Sequence, residues 1–147
     1  MKNASGTKLT KGTQYTVKYA TGRKNVGKYK VVVTMKGNYS GTKTLYLTIN
    51  PVKSSVTKLT AGKKSLKVTV AKKSSQVTGY QVQYSTSKKF TKSTTKVATI
   101  KSYKTTTTTL KKLKAKKTYY VRVRTYKTVK GVKYYSGWST YKYKKTK

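Results

Sequence analysis

The chain has 147 residues, 37 of them Lys or Arg, and no Asp, Glu, His or Cys. That inventory excludes catalysis by paired carboxylates or histidine, metal ligation by His, Cys or carboxylate, and disulfides. It leaves a formal charge of +37 that no side chain offsets, and only Arg23, Arg122 and Arg124 are arginines.

Leu, Ile, Val and Phe together fall below the roughly 20% that separates folded chains from highly charged disordered ones. Two features oppose disorder. Fifteen tyrosines and Trp138 add area to bury, and the apolar residues alternate with polar ones as strands require. The length suits one large domain or two small ones. No apolar run approaches the roughly 18 residues of a spanning helix. The opening Met1-Lys2-Asn3-Ala4-Ser5-Gly6 has no apolar stretch of the kind a signal peptide carries, so export would depend on a signal elsewhere in a parent protein.

Three alternating segments come first: Tyr15, Val17 and Tyr19; Tyr29, Val31 and Val33; Leu45, Leu47 and Ile49. The turn-rich stretches 22-GRKNVG-27 and 37-GNYSG-41 separate them. Three or four strands in about 50 residues are marginal as an independent unit. The run from Gly12 to Pro51, with its Asn-x-Gly and Gly-Asn-Tyr-x-Gly turns, resembles the C-terminal part of the bacterial immunoglobulin-like repeats of Gram-positive surface proteins. The resemblance implies a partial module over 1–50.

The single proline, Pro51, lies in 48-TINPVKSS-55. Proline cannot donate to a ladder and pushes the preceding residue toward extended geometry, so 51–55 is expected to be a linker and 56–147 a second domain. There, strands are expected at 55–60, 65–71, 78–85, 95–101, 106–110, 118–127 and 132–143. Seven strands at this spacing form an all-β, immunoglobulin-like sandwich. Its core faces would be Leu66, Val68 and Val70; Tyr80, Val82 and Tyr84; and Tyr119, Val121 and Val123.

The stretch 113-LKAKKTYYVRV-123 resembles the tyrosine corner of fibronectin type III domains, where a Leu precedes a Tyr by six residues and the strand continues Val-x-Val. The resemblance places Leu113 and Tyr119 at the corner, with the Tyr119 hydroxyl bonded to backbone. Ala115 and Lys116 stand where the family usually has Pro and Gly, and the usual early-strand Trp is absent near Val70. The segments 79-GYQVQYSTSKKF-90 and 124-RTYKTVKGVKYYSGWS-139 resemble the lysine-rich type III repeats of clostridial and other Gram-positive surface proteins. That likeness implies a secreted, modular, non-catalytic setting at the cell surface, without cofactors.

The opposite face of 118–126 carries Tyr120, Arg122, Arg124 and Tyr126, with Gln81 and Gln83 outward on the paired strand. Cations alternating with aromatics can stack on bases or sugar rings and pair with phosphate or sulfate. Equally, arginines there can span the sheet and stack on a neighbouring ring, for which Trp138 is available. Lys127, Lys130 and Lys133 would show charge at the loop 127-KTVKGVK-133, or merely solubilise a hairpin. The tail 141-YKYKKTK-147 reads as a frayed strand end or a polycationic arm. Most lysines read as a solvated face that discourages edge pairing.

What catalysis remains open is a Ser or Thr with a Lys base, or Lys as nucleophile, and these residues are too abundant for adjacency to mean anything. Lys–Asn isopeptide bonds of related surface modules rely on a catalytic acid, which is missing. The expectation is a monomeric, non-enzymatic module of an exported bacterial protein, binding an anionic cell-wall polymer or acidic glycan through its charge. The rivals are sequence-blind binding to nucleic-acid phosphates and an engineered or selected supercharged scaffold. Scarcity of arginine disfavours base-edge readout.

Overall fold

Wherever apolar and polar residues alternate strictly, the chain forms antiparallel strands. The computed structural model describes residues 1–147, which divide into two units, Met1–Ile49 and Asn50–Lys147.

The first unit holds strands Tyr15–Tyr19 (β1), Gly27–Met35 (β2) and Thr42–Ile49 (β3), ordered β1-β2-β3. Val17 lies opposite Val33, and Val31 lies between Tyr19 and Leu45. The three expected apolar rows therefore share one face. Val31 and Val33 are buried, as are Leu9 and Val26, yet Leu45 and Leu47 remain 45% and 40% exposed. The third row thus gains little of the burial that drives folding.

The second unit is a sandwich. One sheet takes Val56–Gly62 (β4), Ser65–Val70 (β5) and Thr107–Leu110 (β8), ordered β4-β5-β8. The other takes Gly79–Ser85 (β6), Thr95–Ile100 (β7), Thr118–Val129 (β9), Val132–Tyr135 (β10) and Lys142–Lys145 (β11). Its order is β10-β9-β6-β7, with β11 also on β9. A 3-10 turn, Lys92–Thr94, precedes β7. Leu66, Val68, Val70, Tyr80, Val82, Tyr119, Val121 and Val123 are buried between the sheets as expected, joined by Val56, Ile100 and Leu110, with Tyr84 partly buried against them.

The tyrosine corner is present. Tyr119 Oη accepts the backbone N–H of Lys114 at 3.0 Å, and Leu113 is buried beside it. A second buried tyrosine performs a similar service that the sequence did not announce. Tyr80 Oη accepts from Lys73 N at 2.8 Å and donates to the Tyr103 carbonyl at 3.1 Å.

Three expectations change. The stretch 51–55 does not hang free but packs into the second unit. Pro51 and Ser54 are buried, Ser54 Oγ donates to the Ala71 carbonyl at 2.7 Å, and Thr125 Oγ1 donates to the Val52 carbonyl. The final strand, expected unbroken over 132–143, is split into β10 and β11. The run from Tyr135 to Lys142 is longer than the part of β9 it spans, Tyr126 to Val121. Two serines bridge the gap, Ser136 Oγ accepting from Thr125 N and Ser139 Oγ from Val123 N, both at 3.0 Å. Hydroxyls replace the missing carbonyls there, as buried backbone donors require. Third, the tail is neither frayed nor an arm. Beyond β11, Thr146 is buried, its Oγ1 donating to the Lys114 carbonyl at 2.6 Å and accepting from Lys117 N at 3.1 Å. Lys147 exchanges backbone bonds with Gly62 and Lys64.

Candidate functional site

Period-two alternation along β9 sends Arg122 and Arg124 outward while Val121 and Val123 enter the core. Register with β6 sets Gln83 opposite Arg122 and Gln81 opposite Arg124. Each glutamine carbonyl takes a guanidinium N–H: Arg122 Nε at 2.7 Å on Gln83 Oε1, and Arg124 Nε at 2.9 Å and Nη2 at 2.7 Å on Gln81 Oε1. The glutamines hold both guanidinium planes steady against the sheet.

Rings fill the faces of those planes. Trp138 lies against both, 5.0 Å from Arg122 Cζ and 4.4 Å from Arg124 Cζ. Phe90 covers Arg122 at 4.0 Å and Tyr135 covers Arg124 at 3.9 Å. The result is a stack in the order Phe90, Arg122, Trp138, Arg124, Tyr135. Burial lowers the pKa of both arginines, helped at Arg122 by the charge of Arg124 and opposed at Arg124 by Tyr135. Cation–π contact offsets that burial where no carboxylate exists to do so.

The residues singled out from sequence separate into three groups. Arg122, Arg124 and Trp138 come together, but with their flat faces occupied, so no base or sugar can intercalate without displacing a ring. Tyr120 keeps company with Tyr141 and Tyr143, at ring-centroid distances of 5.3 and 5.8 Å, and Tyr143 is 65% exposed. Tyr126, expected to show its ring, is buried. It points to the outer side yet lies over Gly79, where any Cβ would strike the Ile100 carbonyl and touch the Tyr126 ring. Tyr135 packs on it at 6.2 Å and the Lys133 ammonium stands 5.5 Å above it. Burial, then Tyr135, raises the Tyr126 pKa.

Lys127 is half-buried, while Lys130 and Lys133 are exposed. Val129 pairs with Val132, so the loop is only Lys130 and Gly131, with φ of 48° and 78°. This is the two-residue turn whose twist matches its strands. Sequence reasoning missed Phe90 and Tyr135 as partners of the arginines, and Tyr141 and Tyr143 as partners of Tyr120. A lone Phe in a lysine-rich loop was the available signal for the first.

Two antiparallel sheets around one core, closed by a tyrosine corner, define the second unit as an immunoglobulin-like module of the structural or binding kind. The fibronectin type III domain model matches residues 49–140, more than half of the chain, and the protein belongs to that family. No curated protein matches the sequence. Domains of this family are generally non-catalytic and often extracellular. No helix is long and apolar enough to cross a membrane.

Proposed function

We propose that the protein is a polycationic structural or adhesive module of an exported bacterial protein that binds anionic polymers, a cell-wall polymer or acidic glycan, without catalysis. In this reading the first unit is part of an immunoglobulin-like repeat that precedes the type III domain. One observation carries the proposal: 37 cations and no side-chain anion to neutralise any of them. Such a surface attracts polyanions over its whole area. The filled faces of Arg122 and Arg124 support an ionic rather than a stacking mode, with the guanidinium edges and exposed lysines such as Lys130 and Lys133 as the contacts. Lysine is a point charge with little geometric demand, suited to irregular polymers.

The test is a competition series of the intact chain with teichoic acid, heparin, duplex DNA and a neutral glycan at several salt concentrations. Affinity for the anionic polymers should fall linearly in log–log form, with a slope of about −0.9 per phosphate neutralised on duplex DNA. Salt-insensitive binding to the neutral glycan overturns the proposal. A marked preference for DNA over teichoic acid and heparin would instead favour nucleic-acid binding.

A further inference from the structure

Away from the arginine stack, a concavity of about 610 Å³ opens at the tyrosine-corner end of the sandwich. Tyr84 and Tyr119 line it, their ring centroids 6.5 Å apart and tilted by 53°. Around them stand Lys96, Lys111, Lys112, Lys114 and Lys117. We propose that this concavity is a binding site for a small phosphorylated or sulfated saccharide.

Four of the five lysines come from the connection between β8 and β9, and that connection is fixed rather than slack. Lys112 and Lys116 hold the left-handed conformation, φ of 56° and 50°. Leu113 N bonds to the Lys64 carbonyl at 2.9 Å, Lys114 N to Tyr119 Oη, and Thr146 Oγ1 bonds at both Lys114 and Lys117. The backbone that carries the ammonium groups is therefore ordered before any ligand arrives, which lowers the entropy lost on binding. The lysines repel one another, and no acidic side chain exists to relieve them, so an anion seated among them eases that repulsion.

The other lining groups narrow the ligand. The partly exposed Tyr84 ring offers a face for a sugar, with the buried Tyr119 ring packed behind it. Tyr119 Oη accepts from Lys114 and so keeps its own proton to donate, and Thr86 and Ser93 add hydroxyls. The volume lies within the roughly 300–1,000 Å³ of small-ligand sites and suits one or two sugar rings, not a duplex. Burial, with Tyr119 alongside, raises the Tyr84 pKa.

This site rests on the polyanion reading for its sign of charge, but it requires a saturable pocket where that reading requires only a surface. The test is calorimetric and NMR titration of the full chain with a sulfated heparin disaccharide, a phosphorylated monosaccharide and the unsulfated disaccharide, at near-physiological salt. A single saturable equivalent is expected for an anionic sugar, with shifts of the Tyr84 and Tyr119 ring signals, and weaker binding of the unsulfated sugar. Whichever anionic probe binds more tightly distinguishes sulfate from phosphate. Replacing Lys111, Lys114 and Lys117 together by Gln should weaken binding by about tenfold or more, or 1.4 kcal/mol. Replacing the exposed Lys58, Lys67 and Lys88 by Gln removes equal charge elsewhere and should change affinity by no more than about threefold, that is, about 0.7 kcal/mol. A native circular dichroism spectrum and a cooperative melting transition show that both triple variants fold. If they lose affinity equally, if neither anionic sugar saturates at one equivalent, or if the unsulfated sugar binds as well, the pocket is overturned. Retention of long heparin chains in that case leaves the surface reading standing, whereas loss of both defeats the two together.

Discussion

The two adjacent tyrosines at 119 and 120 have opposite duties. Tyr119 spends its hydroxyl on the Lys114 N–H within the corner, while Tyr120 offers only its ring, to Tyr141 and Tyr143. Tyr119→Phe should therefore cost about 0.5–1.5 kcal/mol of stability and Tyr120→Phe almost nothing, as read from denaturant midpoints. Equal effects would contradict the corner. The arginine stack gives a second comparison. Changing Arg122 and Arg124 together to Lys keeps the charge but removes planar faces from Phe90, Trp138 and Tyr135 and loosens the glutamine bonds. Stability should drop by about 1–3 kcal/mol while polyanion affinity and its salt slope barely move. A large loss of affinity with intact stability would make the stack a binding site after all. At this scale the sequence was half legible. Alternation placed Arg122 and Arg124 outward and Gln81 and Gln83 beside them. It could not show that Tyr126 is covered, because the cover comes from Gly79 on one strand and Tyr135 on another.

Among the elements, the strands that alternate regularly were readable to within a residue or two, and β5, β6 and β7 are examples. The last strand was not, since its break depends on a length mismatch with β9, a property of two segments rather than one. The docking of the tail was equally hidden. Thr146 is one threonine among many until the loop ahead of β9 folds and presents the Lys114 carbonyl and Lys117 N–H to it. That same loop carries Lys116 at a φ of 50°, a conformation that costs a non-glycine residue about 1–2 kcal/mol. Replacing Lys116 with Gly should relieve this, less the greater chain entropy that glycine loses on folding. A net gain of up to about 1 kcal/mol is expected, seen as a higher melting temperature. A fall would mean that the Lys116 side chain contributes contacts of its own.

For the molecule as a whole, charge sets the behaviour. Like charges oppose the folded state, and no side-chain ion pair can offset them. The screening length shrinks from about 30 Å at 0.01 M salt to about 10 Å at 0.1 M, so the melting temperature should rise over that range. A flat or falling curve would show that repulsion does not limit stability. Response to acid should be unusual for the same reason. Acid unfolding mostly reflects protonation of paired carboxylates and charging of buried histidines, and the chain has neither side chain. With no Asp, Glu or His side chain to titrate, stability at fixed ionic strength should stay level from about pH 4.5 to pH 7. The alkaline side differs. Tyr84 and Tyr126 have folded pKa values above the ordinary 10.0, because burial favours their neutral forms. Their contribution is complete below that ordinary value and is lost as pH rises through the raised folded values. A melting series across both ranges checks the two signs together.

Trp138 is the only tryptophan, and it sits between two guanidinium groups in the second unit. Light absorbed by tryptophan but not by tyrosine therefore excites one ring in one place. Its emission reports whether the stack is closed, and the Met1–Ile49 unit is silent at that wavelength. Tyrosine signals, by contrast, come from both units. With Leu45 and Leu47 poorly covered, the first unit should melt at a lower temperature, visible by circular dichroism while the tryptophan spectrum holds still. The sequence thus supplies an optical probe that separates the unfolding of its two parts without any label.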